Sequence, residues 1–149
     1  MALHRRLLLT AVATTIALAT PALAGANPRG EAAYGAGVRA IQQQDWQGAV
    51  SRLESAIVFD PGNADAYERL GFAHQQLGNI DKALKYIRIA LEIDPNNVAA
   101  LSRHGLAMLS NGNVDQAKQD LQRLSRKCGN GCAPHDELQR ALDYQRAKQ

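Results

Sequence analysis

Eight residues of this chain return in similar form after 34 positions. Ala56-Ile57-Val58-Phe59-Asp60-Pro61-Gly62-Asn63 reappears as Ala90-Leu91-Glu92-Ile93-Asp94-Pro95-Asn96-Asn97. Other columns keep the same step of 34: Gly37, Gly71 and Gly105, and also Ala49, Ala83 and Ala117. Asp45-Trp46-Gln47-Gly48-Ala49 is echoed by Ile80-Asp81-Lys82-Ala83 and by Val114-Asp115-Gln116-Ala117. A period of this size marks a chain of stacked units, each of which buries its apolar face only against a neighbour. That constraint dominates everything else the 149 residues imply.

Within each unit the apolar residues recur three and four apart, the spacing of an amphipathic helix. One such face is Tyr67, Leu70, Phe72, Ala73 and Leu77, and the next is Ala83, Leu84, Ile87, Ala90 and Leu91. Gly78-Asn79 and Asn111-Gly112-Asn113 separate the faces, because Gly and Asn accept left-handed backbone. Pro61 and Pro95 stop the second helix of a unit from continuing. Gly71 and Ala83 are small enough to let two helices approach closely. No stretch alternates with period two for long enough to argue for a sheet.

On these residues the chain resembles the tetratricopeptide repeat (TPR). The resemblance implies an all-α fold, a right-handed superhelix of about three helix-turn-helix repeats. The units run 30–63, 64–97 and 98–131, with the second matching best through Tyr67, Leu70, Gly71, Ala83, Ala90 and Pro95. The first has Ala33 where a large aromatic is usual. The third departs at His104, Leu124 and Gly129, where the pattern has Leu, Ala and Pro. Residues 25–29 form a short N-terminal linker, and 132–149 read as a capping segment. In that segment Pro134 opens a helix over 134–147, Asp136 and Glu137 complement its dipole, and Leu138, Ala141 and Leu142 make one apolar face. An open solenoid needs an end helix that is apolar on one side only.

The first 24 residues have the layout of a removable export signal. His4, Arg5 and Arg6 precede an uncharged run from Leu7 to Thr20, and Ala22-Leu23-Ala24 supplies a small-x-small cleavage pattern. The run falls short of the roughly 18 to 20 residues that a permanent membrane helix needs. Without the signal, 15 Lys and Arg face 14 Asp and Glu, so the formal charge falls from +3 to +1. No basic stripe remains for nucleic acid, and no other segment is long and apolar enough to span a bilayer, so no stable membrane insertion is expected after cleavage. The signal resembles bacterial ones, which places the mature chain in the periplasm, with secretion beyond the envelope left open.

Little in the sequence points to catalysis. Cys128 and Cys132 enclose Gly129-Asn130-Gly131, and two close cysteines in an exported protein point to a disulfide. Closing a loop of about five residues stabilises by roughly 2 kcal/mol, a modest clamp on the capping helix. Adding His135 makes a Cys-x3-Cys-x2-His corner, but three soft ligands without paired spacing are a weak metal signature. His74 and His104 stand in packing columns and read as structural. No nucleophile–base–orienter set, Gly-rich phosphate loop or metal motif occurs, so no enzyme activity and no cofactor are expected.

The resemblance instead implies a groove lined by the first helix of each unit. Carried over by position, it comprises Tyr34, Val38, Ile41, Glu68, Phe72, Gln75, Leu106 and Leu109. Glu31, Asp65, Glu68 and Gln76 would form acidic or polar edges. The Lys, Asn and Arg set with which some relatives hold a C-terminal carboxylate is missing, and Tyr34, Glu68 and Ser102 occupy the corresponding column. An apolar strip of this kind suits an extended peptide or amphipathic helix of another protein. The reading is thus a non-catalytic exported adaptor. Two others compete with it: a thiol- or metal-linked module built on Cys128, Cys132 and His135, and a structural subunit of an envelope complex that uses the convex face or a solenoid end.

Overall fold

The computed structural model describes residues 27–148, so the predicted export signal lies outside the described residues. Seven α-helices follow in order: α1 Pro28–Gln42, α2 Trp46–Phe59, α3 Ala64–Gln76, α4 Ile80–Ile93, α5 Val98–Ser110, α6 Val114–Cys128 and α7 Ala133–Ala147. No strand occurs among the described residues, as the helical periodicity predicts. The first six helices form three pairs, α1/α2, α3/α4 and α5/α6.

Each pair is closed by the same local chemistry. The middle residue of the turn has positive φ, 58° at Gln44, 75° at Gly78 and 78° at Gly112. The next amide then reaches back to the helix it has left. Asp45 N donates to Ala40 O at 2.9 Å, Asn79 N to His74 O at 2.9 Å and Asn113 N to Met108 O at 2.8 Å. These bonds satisfy carbonyls that a helix end otherwise leaves open.

The connections between pairs use Asp and Asn. The Asp60 carboxylate accepts from Gly62 N at 3.2 Å, and Asp94 accepts from Asn96 N at 2.9 Å. Asn63 and Asn97 then cap α3 and α5, accepting from Ala66 N and Ala100 N at 2.9 Å each. Before α7 this chemistry is missing. Cys128 stands in the Asp60/Asp94 column, and Cys132, the N-cap residue of α7, makes no side-chain cap bond. The two sulfurs lie at disulfide distance instead, with the Cα atoms 5.9 Å apart.

Glycines set how closely the helices approach. A Cβ at Gly37 would stand 2.6 Å from Leu53 Cγ, and one at Gly71 would stand 2.8 Å from Ile87 Cγ1 and 3.1 Å from the Ala83 carbonyl oxygen. Gly105 leaves this series, because a Cβ there would meet Leu138 of α7 at 2.5 Å. Helix α7 rests on α5 and α6 as α3 rests on α1 and α2, and as α5 rests on α3 and α4. It therefore sits where the first helix of a fourth unit would stand. Leu138 is fully buried there and Leu142 nearly so, in one cluster with Leu101, Met108 and Leu124.

The third unit also differs inside. His104 Nδ1 lies 2.7 Å from the fully buried Asp120 carboxylate, and Arg123 Nη1 lies 3.6 Å from its other oxygen. One unit earlier the two positions are Leu70 and Tyr86. Leu70 is core and Tyr86 packs against its cluster, so an apolar neighbourhood has been exchanged for a polar pair.

The contacts also give the direction of curvature. The first helices touch in succession, α1 with α3, α3 with α5 and α5 with α7, whereas α2, α4 and α6 do not touch one another. The array is thus tighter on the α1/α3/α5/α7 side, which is its concave face.

Candidate functional site

The centre of the concave face is a stack of charged and aromatic side chains from three helices. Arg103 of α5 donates from Nε to the Glu68 carboxylate of α3. Its guanidinium carbon lies 3.9 Å from the centre of the Phe72 ring. Phe72 in turn meets Trp46 of α2 edge to face, with ring centres 5.7 Å apart. Arg69 Nε stands 3.5 Å from the second Glu68 oxygen. A guanidinium stacks well on an aromatic face while it pairs with a carboxylate, and a buried carboxylate needs such a partner.

Beside this stack lies a cavity of about 260 Å³ between α3, α4 and α5. Its wall is mainly apolar: Ile80, Ala83, Leu84 and Ile87 from α4, with Leu106 and Ala107 from α5. Gln75, Ser110 and Asn111 form a polar rim, and Arg103 is the one charged residue in the lining.

The structure redistributes the residues assigned to the groove from sequence. Gln75 and Leu106 do line this cavity, and Phe72 is half-buried next to Arg103. Tyr34 and Ile41 lean on the core cluster of Ala40, Val50, Leu53 and Leu70, and Val38 is half-buried on α1. Two assignments are corrected. Leu109 is 8% exposed and belongs to the core cluster that α5 shares with Leu84 of α4, Leu124 of α6 and Leu138 and Leu142 of α7. Glu68 is 1% exposed and bound by arginines, so it is not an acidic edge open to a partner. Asp65 is tied as well, accepting from Asn97 Nδ2 at 2.7 Å. Arg103, Ile80, Ala107 and Ser110 were missed. For Arg103 a signal existed: it stands 35 residues after Glu68, one repeat and one residue on, where neighbouring first helices face each other.

The histidines differ from one another. His74 is buried and stacked on Tyr86, with ring centres 5.4 Å apart and planes within 6°, and neither ring nitrogen has a hydrogen-bond partner. Burial lowers its pKa below the ordinary histidine value, Lys82 adds to the effect and Glu54 opposes it. Burial also raises the Tyr86 phenol, helped by Glu54 and Tyr67. His135 is buried with Nδ1 3.1 Å from Asp136. With Cys128 and Cys132 facing each other, the pair presents no two thiolates to share with His135. No group of three metal-ligating side chains occurs among the described residues. Ser102, in the column of Tyr34 and Glu68, donates its hydroxyl to the Pro134 carbonyl at 3.1 Å. Among the described residues no helix is long and apolar enough to cross a membrane.

Comparison with known proteins agrees with this architecture. Tetratricopeptide repeat patterns match residues 40–101 and 99–130. The TPR domain of Arabidopsis OM64 is similar at 23% identity and a TM-score of 0.72, over 81% of this chain and 99% of that one. The TPR2B domain of yeast Sti1, solved as a pHsp70 complex, is similar at 25% identity and 0.70, over 78% and 98%. The first TPR of Spaghetti (RPAP3), bound to the HSP90 peptide SRMEEVD, is similar at 18% and 0.73, over 82% and 99%. A comparison with curated protein sequences returned no match.

Proposed function

Because this chain belongs to the tetratricopeptide repeat family, a family of protein-interaction modules, we propose that it is a non-catalytic exported adaptor. In this reading it holds a segment of another envelope protein on its concave face. The observation that carries the reading is the mainly apolar cavity between α3, α4 and α5, rimmed by Gln75 and Ser110. A half-open apolar pocket with a few polar groups at its edge suits one or two side chains of an extended or helical ligand. That similar domains have been solved with peptide and Hsp70 partners supports a protein ligand. The export signal over residues 1–24 supports action in the periplasm.

The test is affinity capture from the native envelope fraction with residues 25–149 as bait. The control carries Gln75→Trp and Ser110→Trp, which crowd the cavity mouth from two exposed positions and leave the core intact. A partner held by the first bait and lost by the second is the expected result. Identical capture by both would remove the groove from the function.

A further inference from the structure

The cavity has one charged group in its wall, and that charge is already matched inside the protein. Arg103 gives its Nε hydrogen to Glu68, whose side chain is 2% exposed, while its own side chain is 24% exposed. Phe72, backed by Trp46, fixes the guanidinium plane from below. The second arginine on Glu68, Arg69, is held off at 3.5 Å and is not part of the cavity wall.

We infer that Glu68 is the specificity-determining residue of this groove: as the resident counter-ion of Arg103, it makes the groove refuse acidic segments and accept uncharged apolar ones. The inference rests on the groove reading given above. An incoming carboxylate that seeks Arg103 has two routes. It must either displace a carboxylate tethered to the same scaffold, leaving Glu68 buried and less well paired, or lie beside Glu68 as a like charge. Tethering gives Glu68 a high effective concentration, and stranding a buried charge is costly. Like-charge juxtaposition is an established way of rejecting a partner. What the wall offers instead is apolar, Ile80, Ile87, Leu106 and Ala107, with the uncharged Gln75 and Ser110 at the mouth.

Two labelled, N-acetylated peptides test this, the acidic SQMEEVD and an uncharged counterpart, SQMQQVN-amide. Each is titrated against the wild-type protein, Glu68→Gln and Glu68→Gln/Arg103→Gln, with circular dichroism showing that each variant is folded. The wild type should bind the acidic peptide more weakly than the neutral one. Glu68→Gln should raise affinity for the acidic peptide about tenfold or more, with little change for the neutral one, and the added Arg103→Gln should abolish the gain. A wild type that holds the acidic peptide as tightly as the neutral one overturns the inference, and so does a folded Glu68→Gln without gain. If Glu68→Gln does not fold, the wild-type comparison decides alone. The groove reading fails separately. In that case the crowded Gln75→Trp/Ser110→Trp bait keeps its native partner, whatever the peptides do.

Discussion

Gln44 adopts a backbone conformation that its counterparts Gly78 and Gly112 leave to glycine, with φ at 58°. A side chain in the left-handed region costs about 1 kcal/mol, and glycine removes that cost while adding chain entropy to the unfolded state. The expected net effect of Gln44→Gly is a gain of about 0.5 kcal/mol, and Gly112→Ala should lose about 1 kcal/mol, both read from urea melts. His74 supplies a second residue-scale prediction. Its folded pKa lies below the ordinary value of 6.5, so between those two pH values the unfolded chain binds more protons than the folded one. Stability is therefore full above the ordinary pKa and falls as pH drops toward the lowered one, where the loss levels off. His74→Phe, which keeps an aromatic against Tyr86, should flatten this part of the profile. Melts of both proteins between pH 5 and 8 isolate the term, because His104 and His135 are common to both. An unchanged slope would mean that His74 is not the group responsible.

At the scale of elements, three connections join the helix pairs and the cap, and they use two chemistries. Before α3 and α5 an Asp side chain folds the linker and an Asn caps the next helix. Before α7 the Cys128–Cys132 link takes over, with no side-chain cap bond. Reduction, or replacement of both cysteines by serine, should cost roughly 2 kcal/mol. Hydrogen exchange should show the loss concentrated in α7 and the end of α6, with α1 to α4 unchanged. Uniform loss over all helices would mean that the link is not a local latch. The helices and turns were legible beforehand because Gly78, Gly112, Pro61 and Pro95 act on the backbone next to them. The exchange of Leu70/Tyr86 for His104/Asp120 was only half legible. His104 breaks the pattern openly, whereas Asp120 reads as one more charged residue on a helix until the fold buries it.

For the whole molecule, stability depends on an end that lies outside the repeats. A solenoid leaves the apolar face of its last unit open, and α7 covers it from the fourth first-helix seat. Leu138, fully buried against Gly105, should cost about 3 kcal/mol when replaced by Ala. Tyr144→Ala, on the same helix but 63% exposed, should stay within about 0.5 kcal/mol. Equal effects in a thermal melt would show that α7 is not docked as described. The concave face belongs to this scale too. Its cavity is assembled from α3, α4 and α5, and no single unit contains it.

The sequence alone determined the repeat, the helix pairs and the positions of the turns at Gly78 and Gly112. A period of 34 with Gly, Ala, Pro and Asn in fixed columns acts through neighbours in the chain, and local chemistry repeats whenever the residues do. Only the tertiary structure decided that Glu68 is buried under Arg103, that Leu109 is core and that Gly105 receives Leu138. Those outcomes depend on how one helix pair is turned against the next. A repeat period carries no record of that angle, so contacts between units appear only once the units are stacked.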